Sequence, residues 1–106
     1  MSLISGRIAS ANLTTSAQTI HQVPSGFTAS FSANFCNTTT SAVSVRLAIA
    51  TTSSPSSAEW VIYDAIVAAN SSIMYTGLVA DQAQLVVALA SATGCNINLF
   101  GYQETR

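Results

Sequence analysis

The side chain best suited to general-base work in this chain is His21, its single histidine, because an unperturbed imidazole titrates near neutral pH. It stands between Ile20 and Gln22 in a strand-like stretch. With 16 serines in the chain, one lies near His21 by chance, and no G-x-S-x-G turn singles any of them out as a nucleophile. His21 therefore reads as a surface or interface residue. The carboxylates closest in sequence are Glu59 and Asp64. Their odd separation puts them on opposite faces of a strand, which defeats joint acid–base work unless the chain bends between them. Asp81 and Glu104 read as a turn residue and a solvated C-terminal charge.

Cys36 and Cys95 have neither a C-x-x-C spacing nor a neighbouring histidine, so they outline no metal site. The N-terminus lacks a basic stretch followed by an apolar core, since Ser2, Ser5, Gly6, Arg7 and Ser10 interrupt it. No secretory signal is read there, and the expectation is cytosolic synthesis with free thiols. Asn12, Asn37 and Asn70 head N-x-S/T triplets, which chance explains in a chain so rich in hydroxyls. Calcium-loop spacing is absent. Gly94 and Gly101 flank a strand rather than open a helix, so they cradle no phosphate. The expectation is a non-enzymatic protein with no catalytic residue, metal or cofactor.

Composition points the same way. Of the 106 residues, 49% are hydrophobic and only 7% charged, against roughly 25% charged in an ordinary soluble domain. The charges are Arg7, Arg46 and Arg106 against Glu59, Asp64, Asp81 and Glu104, a formal net charge of −1 with no lysine. Nucleic-acid binding is not expected, because phosphate-backbone affinity rests on clustered Lys and Arg. Sixteen serines and 12 threonines take over the work of covering the surface. Hydrophobicity this high with so little charge argues for folding rather than disorder. The longest apolar run, Leu85 to Ala90, falls far short of the roughly 20 residues of a spanning helix, so no membrane segment is expected.

The elements that would position any functional residue are strands. Phe27, Ala29, Phe31, Ala33 and Phe35 alternate with Thr28, Ser30, Ser32 and Asn34, which buries one face and wets the other. Val43, Val45, Leu47 and Ile49 repeat the pattern against Ser44, Arg46, Ala48 and Ala50, and the two runs form a hairpin with a longish loop. Gln18 to Val23 precedes the Pro24-Ser25-Gly26 turn, and Thr51 to Ser57 is a surface loop. Glu59 to Asp64, Ile73 to Thr76 (then a bulge or bend at Gly77), Gln84 to Ala90 and Cys95 to Tyr102 supply further strands, with Ala65 to Asn70 as a connection. Residues 1–15 read as an arm or an edge strand. The sum is one domain, 1–106: an all-β antiparallel sandwich of about seven to eight strands, jelly-roll or immunoglobulin-like.

Aromatic side chains with a polar handle are the natural anchors of an interface. Trp60 and Tyr63 fall on opposite faces of their strand, so one of them faces out. With Tyr75, Tyr102 and the outward Arg46 they make up the candidate interface. Apolar or small residues on both faces of several strands, combined with weak charge repulsion, predict a surface covered by copies of the same chain.

The ordered segments QTIHQVPSG (18–26), FSANFCN (31–37), SVRLAIA (44–50), EWVIYD (59–64), AAN (68–70), YTGL (75–78) and NLFGY (98–102) resemble a family of small tailed-bacteriophage virion proteins. The resemblance spans about 18–104 and lies in the order of the segments rather than in any one motif. It implies a β-sandwich capsid decoration (cement) protein, with a tail, baseplate or fibre module as the alternative. It also implies a homo-oligomer, commonly a trimer, with the major capsid protein or tail proteins as partners. Such a protein would be made in the host cytoplasm and reside in the virion. From the residues alone, a host-adhesion or carbohydrate-binding module using Trp60, Tyr63 and the Thr51 to Ser57 loop is the competing class.

Overall fold

A computed structural model describes residues 4–105. Eight strands follow one another: β1 (Ile4–Asn12), β2 (Gln18–Gln22), β3 (Phe27–Asn37), β4 (Val43–Ala50), β5 (Trp60–Val67), β6 (Ser71–Ala80), β7 (Leu85–Ala90) and β8 (Cys95–Thr105). Among the described residues the only helical piece is the 3-10 turn Ser57–Glu59. The alternating runs of the sequence become strands as expected, but β3 and β4 do not form the expected hairpin: they lie in opposite sheets, and the loop between them crosses from one sheet to the other. Two strands extend further than expected: residues 65–67 continue β5, and β6 continues beyond Thr76 to Ala80, with the expected bulge at Gly77, where Thr76 and Gly77 stand opposite the single Ser32. Residues 4–12 of the expected arm form an edge strand, and residues 1–3 lie outside the described residues.

The strands form two antiparallel sheets, ordered β1-β8-β3-β6 and β2-β7-β4-β5. Four pairs are nested one inside another: β1 with β8, β2 with β7, β3 with β6 and β4 with β5. This is what a long antiparallel hairpin gives when it is rolled up so that alternate pairs fall in opposite sheets. The contacts β3·β8 and β4·β7 then close each sheet of four. That winding is the jelly roll, which settles the topology left open by the alternation alone.

The core lies between the sheets. Phe31, Ala33 and Phe35 of β3 and Ile97 and Leu99 of β8 face Val43, Val45 and Leu47 of β4 and Val86 and Ala88 of β7, all buried. Each fully buried Val, Leu, Ile or Phe contributes roughly 1.5–3 kcal/mol, so this shared interior holds the two sheets together.

The two cysteines sit beside each other across β3·β8 but in opposite phase. Cys36 pairs with Asn96, while Cys95 pairs with Asn37. Cys36 therefore points outward and is half-buried, Cys95 points into the core, and both are free thiols. A one-residue step in a strand turns the side chain to the other face, so the pair cannot bridge. Burial also pushes the Cys95 thiol pKa up, which keeps it protonated and unreactive. Iodoacetamide should alkylate Cys36 in the native protein and Cys95 only after denaturation, as read by intact mass. Equal labelling of both thiols in the native state would contradict this placement.

Candidate functional site

Of the sequence-derived candidates, Arg46, Tyr63 and Trp60 come together on the outer face of the β2-β7-β4-β5 sheet. They do so through two irregularities in β5. Val45 pairs with Ala65 and Leu47 with Ile62, so Tyr63 and Asp64 together stand opposite the single Arg46. A bulge of this kind sets two residues against one. Asp64 adopts φ 55°, a left-handed conformation that Asp tolerates better than branched residues. A second irregularity, at Val61, sets Trp60 opposite Ala48, on the outer face. Strict alternation places Trp60 and Tyr63 on opposite faces; the inserted residues bring them to the same one.

The geometry is tight. The Arg46 guanidinium donates to both oxygens of Asp64, Nε to Oδ1 at 2.6 Å and Nη2 to Oδ2 at 3.1 Å. It also lies 4.0 Å from the centroid of the Tyr63 ring, within cation–π range. The Trp60 and Tyr63 rings meet edge to face, 5.7 Å apart at 70°. Asp64 is held below the usual carboxylate range by the Arg46 hydrogen bonds and charge, and Arg46 is raised by the same partner. A cleft of about 360 Å³ opens in the corner lined by Ser57, Trp60 and Tyr63. On the other side of the ion pair, a groove of about 390 Å³ runs past Ser44, Arg46, Asp64 and Ser91.

Glu59 does not join Asp64. Its carboxylate accepts from the backbone N–H of Ser56 at 2.9 Å and of Thr51 at 3.1 Å, which fastens the 51–57 loop and, through the Ser56 bond first, lowers its pKa. His21 turns out to be an internal tether. It pairs with Val86 after a register shift in β2, and its Nε2 lies 2.7 Å from Oε1 of the buried Gln103 on the opposite sheet. Among the described residues, no group of three or more His, Cys, Asp and Glu could hold a metal ion.

Tyr75 and Tyr102 part company with the other three. Tyr75 packs inward, edge to face with Phe35 at 6.2 Å. Tyr102 lies half-exposed on the outer face of the other sheet, on a rung with Ser30 and Val79. The neighbouring rungs carry Arg7, Phe100 and Ser32, then Asn98, Asn34 and Met74. Tyr102, Val79, Phe100 and Met74 are all exposed there, separated by the hydroxyls and amides of Ser30, Ser32 and Asn34, with the Arg7 guanidinium 5.9 Å from the centroid of the Phe100 ring. The outward phase of β8 carries both Phe100 and Tyr102, which is a signal the sequence contains. Val79 and Met74 are found only once β6 is placed beside β3.

No protein-family model matches the chain, and no curated protein matches it. In fold it is similar to a chain from the structure of Bacillus endospore appendages, described as a novel family of disulfide-linked pili. The TM-score is 0.57 at 12% identity, covering 97% of this chain and 88% of that one. At that identity the likeness shows the fold alone.

Proposed function

We propose that this protein is a non-enzymatic structural subunit of a bacteriophage virion, foremost a decoration protein that packs against copies of itself and against the shell lattice. The observation that carries the reading is the outer face of the β1-β8-β3-β6 sheet. Its exposed Tyr102, Phe100, Val79 and Met74 lie on adjacent rungs among mostly neutral polar residues, with Arg7 beside Phe100. Large apolar side chains clustered on one exposed face of a small domain point to a contact site, and the scarcity of charge weakens the repulsion that would keep copies apart. The ordered segments that resemble small virion proteins support a virion role, and the same resemblance favours a trimer.

Purified particles should contain this chain in tens to hundreds of copies, as a symmetric lattice requires. A stoichiometry of about six or fewer would move it to the tail, where the same sandwich would stack along an axis. A clean monomer by light scattering at high concentration would count against self-association altogether. A second reading, a subunit of a surface appendage, draws support from the fold likeness to the endospore pilus chain. It would be favoured if the protein polymerised into filaments by itself.

A further inference from the structure

We infer that the corner formed by Trp60 and Tyr63, with the Arg46–Asp64 pair beside it, is a binding site for a neutral saccharide, a role separate from assembly. The argument starts from what a pyranose presents: flat C–H faces and neighbouring hydroxyls, each able to donate and to accept. The C–H faces need an aromatic wall. Tyr63 remains 58% exposed although Arg46 shields part of it, and Trp60 meets it at 70°, so the two rings form a corner rather than a closed stack. The cleft in that corner, about 360 Å³, falls within the range of small-molecule sites.

The hydroxyls need donors and acceptors side by side. A carboxylate has about four acceptor sites and a guanidinium five N–H donors. The Arg46–Asp64 contact occupies one site on each carboxylate oxygen and two of the N–H groups. Arg46 also packs on the Tyr63 ring, and the side chains remain 31% and 50% exposed, which leaves further acceptor and donor positions open to a ligand. Charge-assisted hydrogen bonds are the stronger kind, and here adjacent acceptors and donors match a pair of neighbouring hydroxyls. Because Arg46 and Asp64 cancel one another, the site favours a neutral ligand over a phosphate or an acidic peptide. The second groove, past Ser44 and Ser91, continues the site across the ion pair and gives room for more than one sugar unit. In a repeating assembly each copy would display this corner, so weak single-site binding would multiply through avidity.

Trp60 is the only tryptophan in the chain, so intrinsic fluorescence reports on this corner. Full-length protein is titrated separately with maltotriose, cellotriose, mannotriose and chitotriose. At least one should shift the emission in a saturable way, with half-saturation on the order of 1 mM. Tyr63→Ala should weaken it about tenfold or more, while Tyr102→Ala on the other sheet leaves it unchanged. Asp64→Asn keeps a residue that tolerates positive φ and should also weaken binding, by removing the charge from the acceptor. The proposal is overturned if none of the four saturates, or if saturation survives Tyr63→Ala. It is likewise overturned if Tyr63→Ala dissolves the oligomer in light scattering while the saccharides do nothing, because the corner is then a subunit contact.

Discussion

Gly101→Ala should lower the unfolding free energy by about 3 kcal/mol, at the top of the range for inserting a single carbon into a packed interior. A Cβ at position 101 would run into the carbonyl oxygen of Ser30 and stand 2.7 Å from the Cα of Phe31. Both atoms belong to the backbone of β3, so no side-chain rotation relieves the clash. One strand must move, and these are the two central strands of their sheet, paired without interruption from Phe27 with Thr105 to Asn37 with Cys95. On the other side Gly101 pairs with Gly6, so a shift of β8 also disturbs β1.

Gly77→Ala is the control that isolates close approach from backbone conformation. Gly77 has φ +77°, and nothing lies within 4 Å of a Cβ there. Its cost is confined to the left-handed conformation, roughly 1–2 kcal/mol. Urea denaturation of the two variants beside the parent separates the terms. If both lose the same stability, the contact between β8 and β3 is not what requires glycine at 101. Against a total stability of about 5–15 kcal/mol for a domain of ordinary size, the Gly101 variant should melt well before the Gly77 variant.

What the sequence disclosed about this fold was set by which features are local. The alternation of Phe27 to Phe35 and of Val43 to Ile49 is local, and it identifies strands and their buried faces from residue type alone. Which strand pairs with which is not local. The nested pairing that distinguishes a jelly roll from an immunoglobulin-like sandwich depends on contacts such as β1 with β8, whose partners lie at opposite ends of the chain. Bulges fall between these cases. One inserted residue reverses the phase of everything beyond it, so counting by twos separates Trp60 from Tyr63 and misses the partnership of Asp64 with Arg46. The hint the sequence does hold is chemical: an Asp in the middle of a Val-, Ile- and Tyr-rich strand is out of place unless the backbone needs a residue that tolerates αL. His21 escapes the same count for the same reason, because the register shift between Thr19 and His21 turns it toward Gln103 instead of solvent.

Asn37 shows how a residue that reads as incidental in the sequence can be structurally demanding, and Asn37→Asp should be among the most damaging isosteric changes in the protein. The triplet Asn37-Thr38-Thr39 has the form of a glycosylation acceptor, yet the Asn37 side chain is fully buried. Its Nδ2 donates to the carbonyls of Ser41 at 2.8 Å, Val67 at 3.1 Å and Ala68 at 3.3 Å. Its Oδ1 accepts from the N–H and the hydroxyl of Thr39 at 3.0 and 2.7 Å. One amide thus ties the β3–β4 loop to the end of β5, using two N–H groups for three carbonyls. A carboxylate would fit the same space with no hydrogen to offer, leaving a buried negative charge against those oxygens, and the expected loss is about 3–5 kcal/mol at neutral pH. Protonation would partly repair it, since a carboxylic acid can donate to one of the three. The folded variant should therefore hold that proton more tightly than its unfolded chain does, which raises the native-state pKa of the introduced carboxyl. A group with a raised native pKa contributes its stability below the unfolded value, near ~3.9 for aspartate, and loses it as pH rises through the native value. The gap between Asn37→Asp and the parent in urea midpoint should accordingly be smallest at acid pH and widen toward neutrality. Asn37→Ala, which has no charge to titrate, should show a gap that does not vary with pH over the same range. A pH-independent gap for Asn37→Asp would mean that the three carbonyls do not face the side chain.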